Sequence, residues 1–270
     1  MNYLIYLFLG ALQGLTEPLP ISSSGHLFLF KNLFNTNMFN DLNFEIVVNF
    51  GSFIGIFFIF YKEIFKLINS FFNYLLKKDN KKKYANDFKY CMLIIIGTLP
   101  VGIAGIFLKD FIEETLSRTW ILGICFIITA ISLFLVKNIT GNKEDSDITY
   151  KDAIIIGLFQ VIALTPGISR SGSVLVACLL CNLKRDSALK YTFMLYFPVS
   201  IASMLLGVKD LLNASNLNSL ILPYTLGMIV AGIVTYFSYQ WLSEWVKKGK
   251  LWKFSIYCLL LGIFVLIYFR

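Results

Sequence analysis

The chain has 270 residues, 57% of them hydrophobic and only 15% charged, with a mean hydropathy of +0.71. A soluble domain is usually about 45–50% apolar and about 25% charged, so one soluble core of this size cannot hide the excess apolar surface, whereas lipid solvates the outer faces of apolar helices. The net charge of +8 does not mark a nucleic-acid partner, because 23 of the 24 Lys and Arg residues flank apolar segments and only Arg170 sits well inside one.

In chain order, residues 3–12 are apolar, Gln13 to His26 are polar and rich in Pro, Ser and Gly, and 27–34 are apolar again. Apolar segments follow at about 46–61, 91–108 and 120–136. Residues 153–164 and 174–183 then flank the polar run Thr165 to Ser173, and three more segments cover about 191–208, 221–242 and 254–269. A membrane span needs roughly 17–25 residues, and the six long segments reach or approach that length. The arms around each polar run reach only about half of it, which reads as a re-entrant helix–loop–helix hairpin; irregular backbone at membrane depth survives only when buried in protein or lining a wet cavity. The expected fold is an all-α integral membrane protein with six transmembrane helices and two such hairpins, forming one membrane domain over 1–270. No cleavable signal peptide is expected, since the start lacks a basic region and a small-residue cleavage site.

Loop charge orients this arrangement, because Lys and Arg favour the cytoplasmic side in short loops. Segments 62–90, 137–152, 184–190 and 243–253 carry 18 basic residues, against five in 31–43, 109–118, 209–220 and the C-terminus. With six spans and two hairpins all four basic segments fall on one side, both termini lie outside, and the hairpins enter from opposite faces. Sliding the chain by 147 residues places Gly10 on Gly157, Gln13 on Gln160, Ser22 on Ser169, Ser24 on Ser171, Gly25 on Gly172 and Lys62-Glu63 on Lys209-Asp210. Two copies of opposite orientation, about 1–137 and 152–270, make an inverted repeat, an architecture in which broken helices meet at the midplane and form the binding site.

The first polar run carries Gln13, Glu17, Ser22, Ser23, Ser24, Gly25 and His26. Gln13 and Glu17 are one helical turn apart and share a face. His26 is the chain's single histidine; a lone histidine is ordinarily a satisfied core residue, but an ionisable group at membrane depth is a functional candidate by default. The second run carries Gly167, Ser169, Arg170, Ser171, Gly172 and Ser173. Arg170 cannot shed its charge and needs a partner or an anion. A structural ion pair with Glu17 would satisfy it but would leave the hydroxyls and glycines unexplained. A guanidinium beside hydroxyls at a glycine-flanked helix start suits a phosphate oxyanion. Glu45 and Asn49, a turn apart at the head of the next span, are further polar positions. Cys178-x-x-Cys181 lacks the context of a redox pair.

The chain resembles the undecaprenyl-diphosphatases, the bacitracin-resistance membrane phosphatases of bacteria, over essentially its whole length. The resemblance rests on QGLTEPLPISSSGH at 13–26 and PGISRSGS at 166–173; Val174 departs from it, standing where the family often has Thr. It implies removal of the terminal phosphate from undecaprenyl diphosphate in the bacterial cytoplasmic membrane, at a site opening outward, with a divalent metal required. Glu17, Ser23, His26 and Arg170 are the expected catalytic residues. Gln13, Ser22, Ser24, Gly25, Gly167, Ser169, Ser171 and Ser173 are expected to bind substrate, and Glu17 also to ligate Mg2+ or Ca2+, with substrate oxygens completing the shell. The expected partners are a polyprenyl diphosphate, membrane lipids and, as an open option, a second copy of the chain.

Three chemistries fit these residues. A hydroxyl such as that of Ser23 attacks phosphorus with His26 or Glu17 as base, or His26 itself attacks, or Glu17 and a metal activate water. The phosphatidate-phosphatase type needs two histidines and is ruled out. A transporter or flippase of a lipid phosphate is the alternative from another class, since the fold alone does not decide.

Overall fold

The computed structural model describes residues 3–34, 42–76, 81–108, 111, 118–212 and 217–269. Among these there are ten α-helices: α1 (Tyr3–Thr16), α2 (Ser23–Phe34), α3 (Leu42–Leu76), α4 (Lys81–Phe107), α5 (Thr119–Val136), α6 (Tyr150–Ile162), α7 (Arg170–Leu180), α8 (Arg185–Leu212), α9 (Leu217–Lys247) and α10 (Leu251–Tyr268). Six of them, α3, α4, α5, α8, α9 and α10, are long and apolar enough to cross a membrane, and they coincide with the six expected segments. The remaining four are two pairs of short helices, α1–α2 and α6–α7, each interrupted at a polar run.

The interruptions are shorter than the sequence led one to expect. α1 continues through Gln13 to Thr16 and α2 restarts at Ser23, so only six residues of the polar run are non-helical. Pro18 and Pro20 set that limit, because proline lacks the helical donor and disfavours helical backbone in the residue before it. The basic segment 62–90 is likewise not an open loop. α3 and α4 run on as a helical pair, tied by Tyr74 stacked on Phe88 at 4.1 Å and by Lys66 Nζ and Ser70 Oγ donating to Asp87 at 3.1 and 2.8 Å. Of its charges, Lys77 and Lys78 lie outside the described residues, as do 35–41, 112–117 and 213–216 from the weakly basic segments.

Close helix crossings are made by small residues, as expected where lipid offers no hydrophobic drive for association. A Cβ on Gly10 would collide with the Gly227 carbonyl of α9, and Cβ atoms on Gly51 and Gly55 of α3 with the carbonyls of Met228 and Gly232. α1 and α3 therefore lie backbone to backbone with α9. On the other side α6 lies against α4, where Gln160 Nε2 donates to the Gly97 carbonyl at 2.8 Å, and α5 packs along α10. α8 runs between them, with Tyr191, Phe193 and Leu195 buried in the main core. Lys190 at its start donates to Glu63 Oε1 at 2.7 Å and Asp145 Oδ2 at 2.8 Å, fastening α8 to α3 and to the turn before α6. That turn ends in a capping box: the Asp152 N–H donates to Thr149 Oγ1 at 3.2 Å, and the Thr149 N–H to Asp152 Oδ2 at 2.9 Å.

Candidate active site

Both interrupted pairs restart with the same local device. At α2 the Gly25 N–H donates to Ser22 Oγ at 3.2 Å; at α7 the Gly172 N–H donates to Ser169 Oγ at 3.1 Å. Each serine satisfies an amide that a helix start leaves without an intrahelical acceptor. The chain reaches the two caps differently. Ser22 adopts a left-handed backbone with φ +68, whereas before Ser169 the reversal is made at Gly167, φ +94. Thr129 of α5 braces the second turn, accepting from the Ser169 N–H at 3.3 Å and donating to the Gly167 carbonyl at 3.4 Å.

The two turns touch. A Cβ on Gly25 would lie 3.0 Å from Gly167 Cα, one on Gly172 would lie 3.2 Å from Pro20 Cβ, and Ser171 Oγ donates to the Leu19 carbonyl at 3.1 Å. This contact brings together residues 153 apart in sequence: Arg170 Nη2 donates to Glu17 Oε1 at 2.8 Å. The other carboxylate oxygen of Glu17 accepts from Ser23 Oγ at 2.5 Å and Gln13 Nε2 at 2.9 Å. Gln13 Nε2 also donates to Asn49 Oδ1 of α3 at 2.6 Å. The Arg170 guanidinium lies 4.8 Å over the Tyr196 ring of α8, a geometry that favours a partly desolvated cation. Glu17 and Arg170 are thus a partnered pair at depth, as buried charges must be.

A cavity of about 250 Å³ opens beside this pair. Of the sequence-derived site residues, Glu17, Ser22, Ser23, Ser24, Ser169, Arg170 and Ser171 line it, with Asn49 across from them. Five do not. Gln13 is 1% exposed and acts through Glu17; Gly25 and Gly167 sit where the two turns press together; Ser173, in the first turn of α7, is not among the cavity's lining residues. His26 lies apart from the cavity. It is 2% exposed and lies behind the turn, its ring stacked on Tyr257 of α10 at 5.7 Å and edge-on to Phe126 of α5 at 5.4 Å. Its Nδ1 is 2.7 Å from the Ser22 carbonyl, which can only accept, so Nδ1 carries a proton; in the neutral ring Nε2 then accepts from Tyr257 Oη, also at 2.7 Å. Both ring nitrogens are engaged away from the cavity, on Ser22 and Tyr257, whereas Glu17 is held by Gln13, Ser23 and Arg170.

The oxygens around Glu17 fit a hard divalent cation sparingly. No group of three or more His, Cys, Asp and Glu side chains converges among the described residues. One carboxylate is present, yet Gln13 Oε1 is buried without a hydrogen-bond partner. A magnesium ion is ordinarily held by one or two carboxylates plus substrate phosphates, and among the described residues Glu17 would be the one carboxylate on the cavity to hold it.

The family profile described as bacitracin resistance protein BacA matches residues 6–264. The chain belongs to that family. It is 40% identical over 263 residues to undecaprenyl-diphosphatase 1 of Bacillus cereus, covering 97% of this chain and 96% of that one. It is 39% identical over 265 residues to the undecaprenyl-diphosphatase of Oceanobacillus iheyensis, covering 97% and 95%. With undecaprenyl-diphosphatase 1 of Halalkalibacterium halodurans it shares 37% over 261 residues, covering 97% and 94%. In this BacA-family chain, sequence reasoning overlooked Tyr196, Tyr257 and Thr129. All three lie in apolar spans, where an aromatic or a threonine is ordinary packing, and only the fold reveals what each one touches.

Proposed function

We propose that the chain is a membrane phosphatase that hydrolyses undecaprenyl diphosphate to undecaprenyl phosphate and inorganic phosphate, returning the lipid carrier to cell-wall synthesis. The observation that carries this is the Ser23–Glu17–Arg170 chain of contacts on one cavity: a hydroxyl within 2.5 Å of a carboxylate, and a guanidinium beside both. Nucleophile and base within hydrogen-bond reach, with the base oriented by a third group, is the signature of covalent catalysis.

The terminal phosphate takes the place of Glu17 on the Arg170 guanidinium, whose planar fork holds two oxygens at once. Ser169 Oγ, Ser171 Oγ and the first amides of α7 face the same anion. Released from Arg170, Glu17 accepts the Ser23 proton as Ser23 Oγ attacks the terminal phosphorus, and the bond to the bridging oxygen breaks with undecaprenyl phosphate as leaving group. Glu17 passes that proton to the departing undecaprenyl phosphate, then takes a proton from the water that attacks the phosphoserine and returns it to Ser23 Oγ as inorganic phosphate leaves. Phosphoryl transfer draws mostly on positioning and charge stabilisation. Glu17 would hold a divalent ion here, which would further neutralise the diphosphate oxygens.

The reading includes an inverted repeat with two re-entrant hairpins, α1–α2 and α6–α7, about 1–137 and 152–270. Its support is reciprocity. Position 25 touches 167 and position 172 touches 20, pairs that exchange under the 147-residue shift, as a two-fold arrangement requires. It also places the site near the midplane of the bacterial cytoplasmic membrane, opening to the outer face. The test is phosphate release by purified protein in detergent, where vectorial transport cannot register. Turnover in the wild type, and a phosphorylated peptide containing Ser23 trapped on rapid acid quench, are expected. No release from undecaprenyl diphosphate would refute the phosphatase assignment, and label trapped elsewhere would refute Ser23 as nucleophile.

A further inference from the structure

A cavity of about 250 Å³ is smaller than the roughly 300–1,000 Å³ that encloses a drug-sized ligand, so a long polyprenyl chain cannot fold up inside it. The chain must pass through the cavity wall into lipid, and the wall offers two chemistries. One side is the polar face of the two turns. The other is mainly apolar, with Val101 of α4, Ala163 and Leu164 at the tip of α6, and Val199 and Met204 of α8, interrupted by the hydroxyls of Ser200 and Ser203.

α6 packs on α4 only as far as Pro100, whose Cγ a Cβ on Gly157 would meet at 2.9 Å. Beyond that point α4 stands clear. Residues 97, 101 and 105 lie on one face of α4 at successive turns, and that face changes character along its length. A Cβ at Gly97 would press on Leu195 Cδ2 at 2.9 Å and Tyr191 Oη at 3.0 Å; Val101 lines the cavity; a Cβ at Gly105 meets no described atom within 4 Å. The C-terminal halves of both helices then present bare apolar surface, with Ile106 at 72% and Phe107 at 79% exposed on α4, and Leu205 at 71% and Leu206 at 72% on α8. The floor is closed by Phe193 and Tyr196.

We propose that the gap between the C-terminal halves of α4 and α8, with Gly105 as its sill, is the portal through which the substrate's polyprenyl tail passes from the diphosphate site into the bilayer. It deepens the phosphatase reading and rests on it. The occupant follows from continuity: the apolar wall begins where the phosphate-facing groups end, and it leads into surface already facing lipid. Because lipid is as apolar as the portal, the tail gains little on seating there. The portal acts by shape, and filling it blocks the tail without touching the chemistry.

The experiment compares undecaprenyl diphosphate with geranyl diphosphate, whose short tail ends near the cavity. Gly105→Trp plugs the sill from α4, Leu206→Trp narrows the gap from α8 outside the cavity, and Leu99→Trp, exposed on the opposite side of α4, is the control. The two plugs are expected to raise KM for undecaprenyl diphosphate about tenfold or more while geranyl diphosphate turnover stays within about twofold, and the control to leave both unchanged. Wild-type kinetics on the long substrate in both plugged variants would overturn the portal, and so would an equal loss on both substrates. If the wild type releases phosphate from neither substrate, the phosphatase reading itself fails and the portal falls with it.

Discussion

The two interrupted helix pairs begin from one design and end with opposite chemistry. Both restart on a serine cap closed by a glycine amide three residues on, and both set a second serine two residues after the first, with Oγ–Oγ distances of 3.5 Å for Ser22–Ser24 and 3.2 Å for Ser169–Ser171. Between those matched serines stand Ser23 in one turn and Arg170 in the other. A turn earlier, Glu17 stands opposite Leu164. One scaffold thus supplies a hydroxyl and its carboxylate, the other a cation and an apolar wall. A pocket between two identical turns would carry only one kind of charge. On the phosphatase reading proposed above, divergence at two matched positions would give it a nucleophile, a base and an anion clamp.

The sharpest way to break this division of labour is Glu17→Gln. The amide keeps the shape but cannot take the Ser23 proton, and general base assistance is typically worth about 10²–10⁴ in rate. We expect a loss in that range in kcat, with the double variant Glu17→Gln/Ser23→Ala losing far less than the product of the single losses, because groups that act as a unit are non-additive. Multiplying losses would show that the two do not work together. On the other turn, Arg170→Lys retains the charge but loses the fork and its seat over Tyr196. The expected fall is about 10²–10³ in kcat/KM, the range seen when one preorganised donor is removed. A well-folded Arg170→Lys protein with near-normal turnover would overturn the clamp.

Much of this was legible in the sequence. The six spans were visible as apolar length, and the breaks as Pro, Gly and Ser runs too polar for lipid. Glu17 and Arg170 were visible because a charge at that depth needs a reason. His26 was legible as a residue with a task but not as one facing away, since a helical register cannot say which side of a turn is open. The extent of α3 and α4 beyond the apolar stretch was hidden for another reason: Lys-rich sequence is equally compatible with loop and solvated helix, and the Tyr74–Phe88 and Asp87 contacts that decide it join separate elements.

The backbone contrast between the turns has its own test. At Gly167 the backbone is left-handed and a Cβ would lie 2.8 Å from both Cys125 Cβ and Leu122 Cδ1. Gly167→Ala is expected to destabilise the protein by about 1–3 kcal/mol, read as a lowered thermal midpoint in detergent. The matched position in the first turn is Pro20. Pro20→Ala acts chiefly through the freedom of the unfolded chain and is expected to cost only about 0.4–1 kcal/mol. Equal losses would mean that the two turns are not strained differently.

The smallest expected effect concerns the strut that only the first turn possesses. Ser22 is left-handed without being glycine, a conformation that costs energy and persists only when its surroundings impose it. Its carbonyl accepts both the His26 amide at 3.2 Å and His26 Nδ1–H at 2.7 Å, and Tyr257 Oη, donating to Nε2, keeps the ring in the tautomer that can make the second bond. Ser23, the next residue, owes its approach to Glu17 to that geometry. Tyr257→Phe removes one neutral hydrogen bond, worth about 0.5–1.5 kcal/mol, and leaves the stacked ring in place. We expect kcat to fall about two- to tenfold with KM unchanged, and the nitrogen-15 shifts of His26 to show both tautomers where the wild type shows one. Ser173→Ala, at the position matching His26, should do neither, because the second turn is braced by Thr129 instead. Full activity with an unchanged tautomer in Tyr257→Phe would mean that His26 holds Ser22 without help from α10. A falling kcat with an unchanged tautomer would place the hydroxyl's effect somewhere other than the strut.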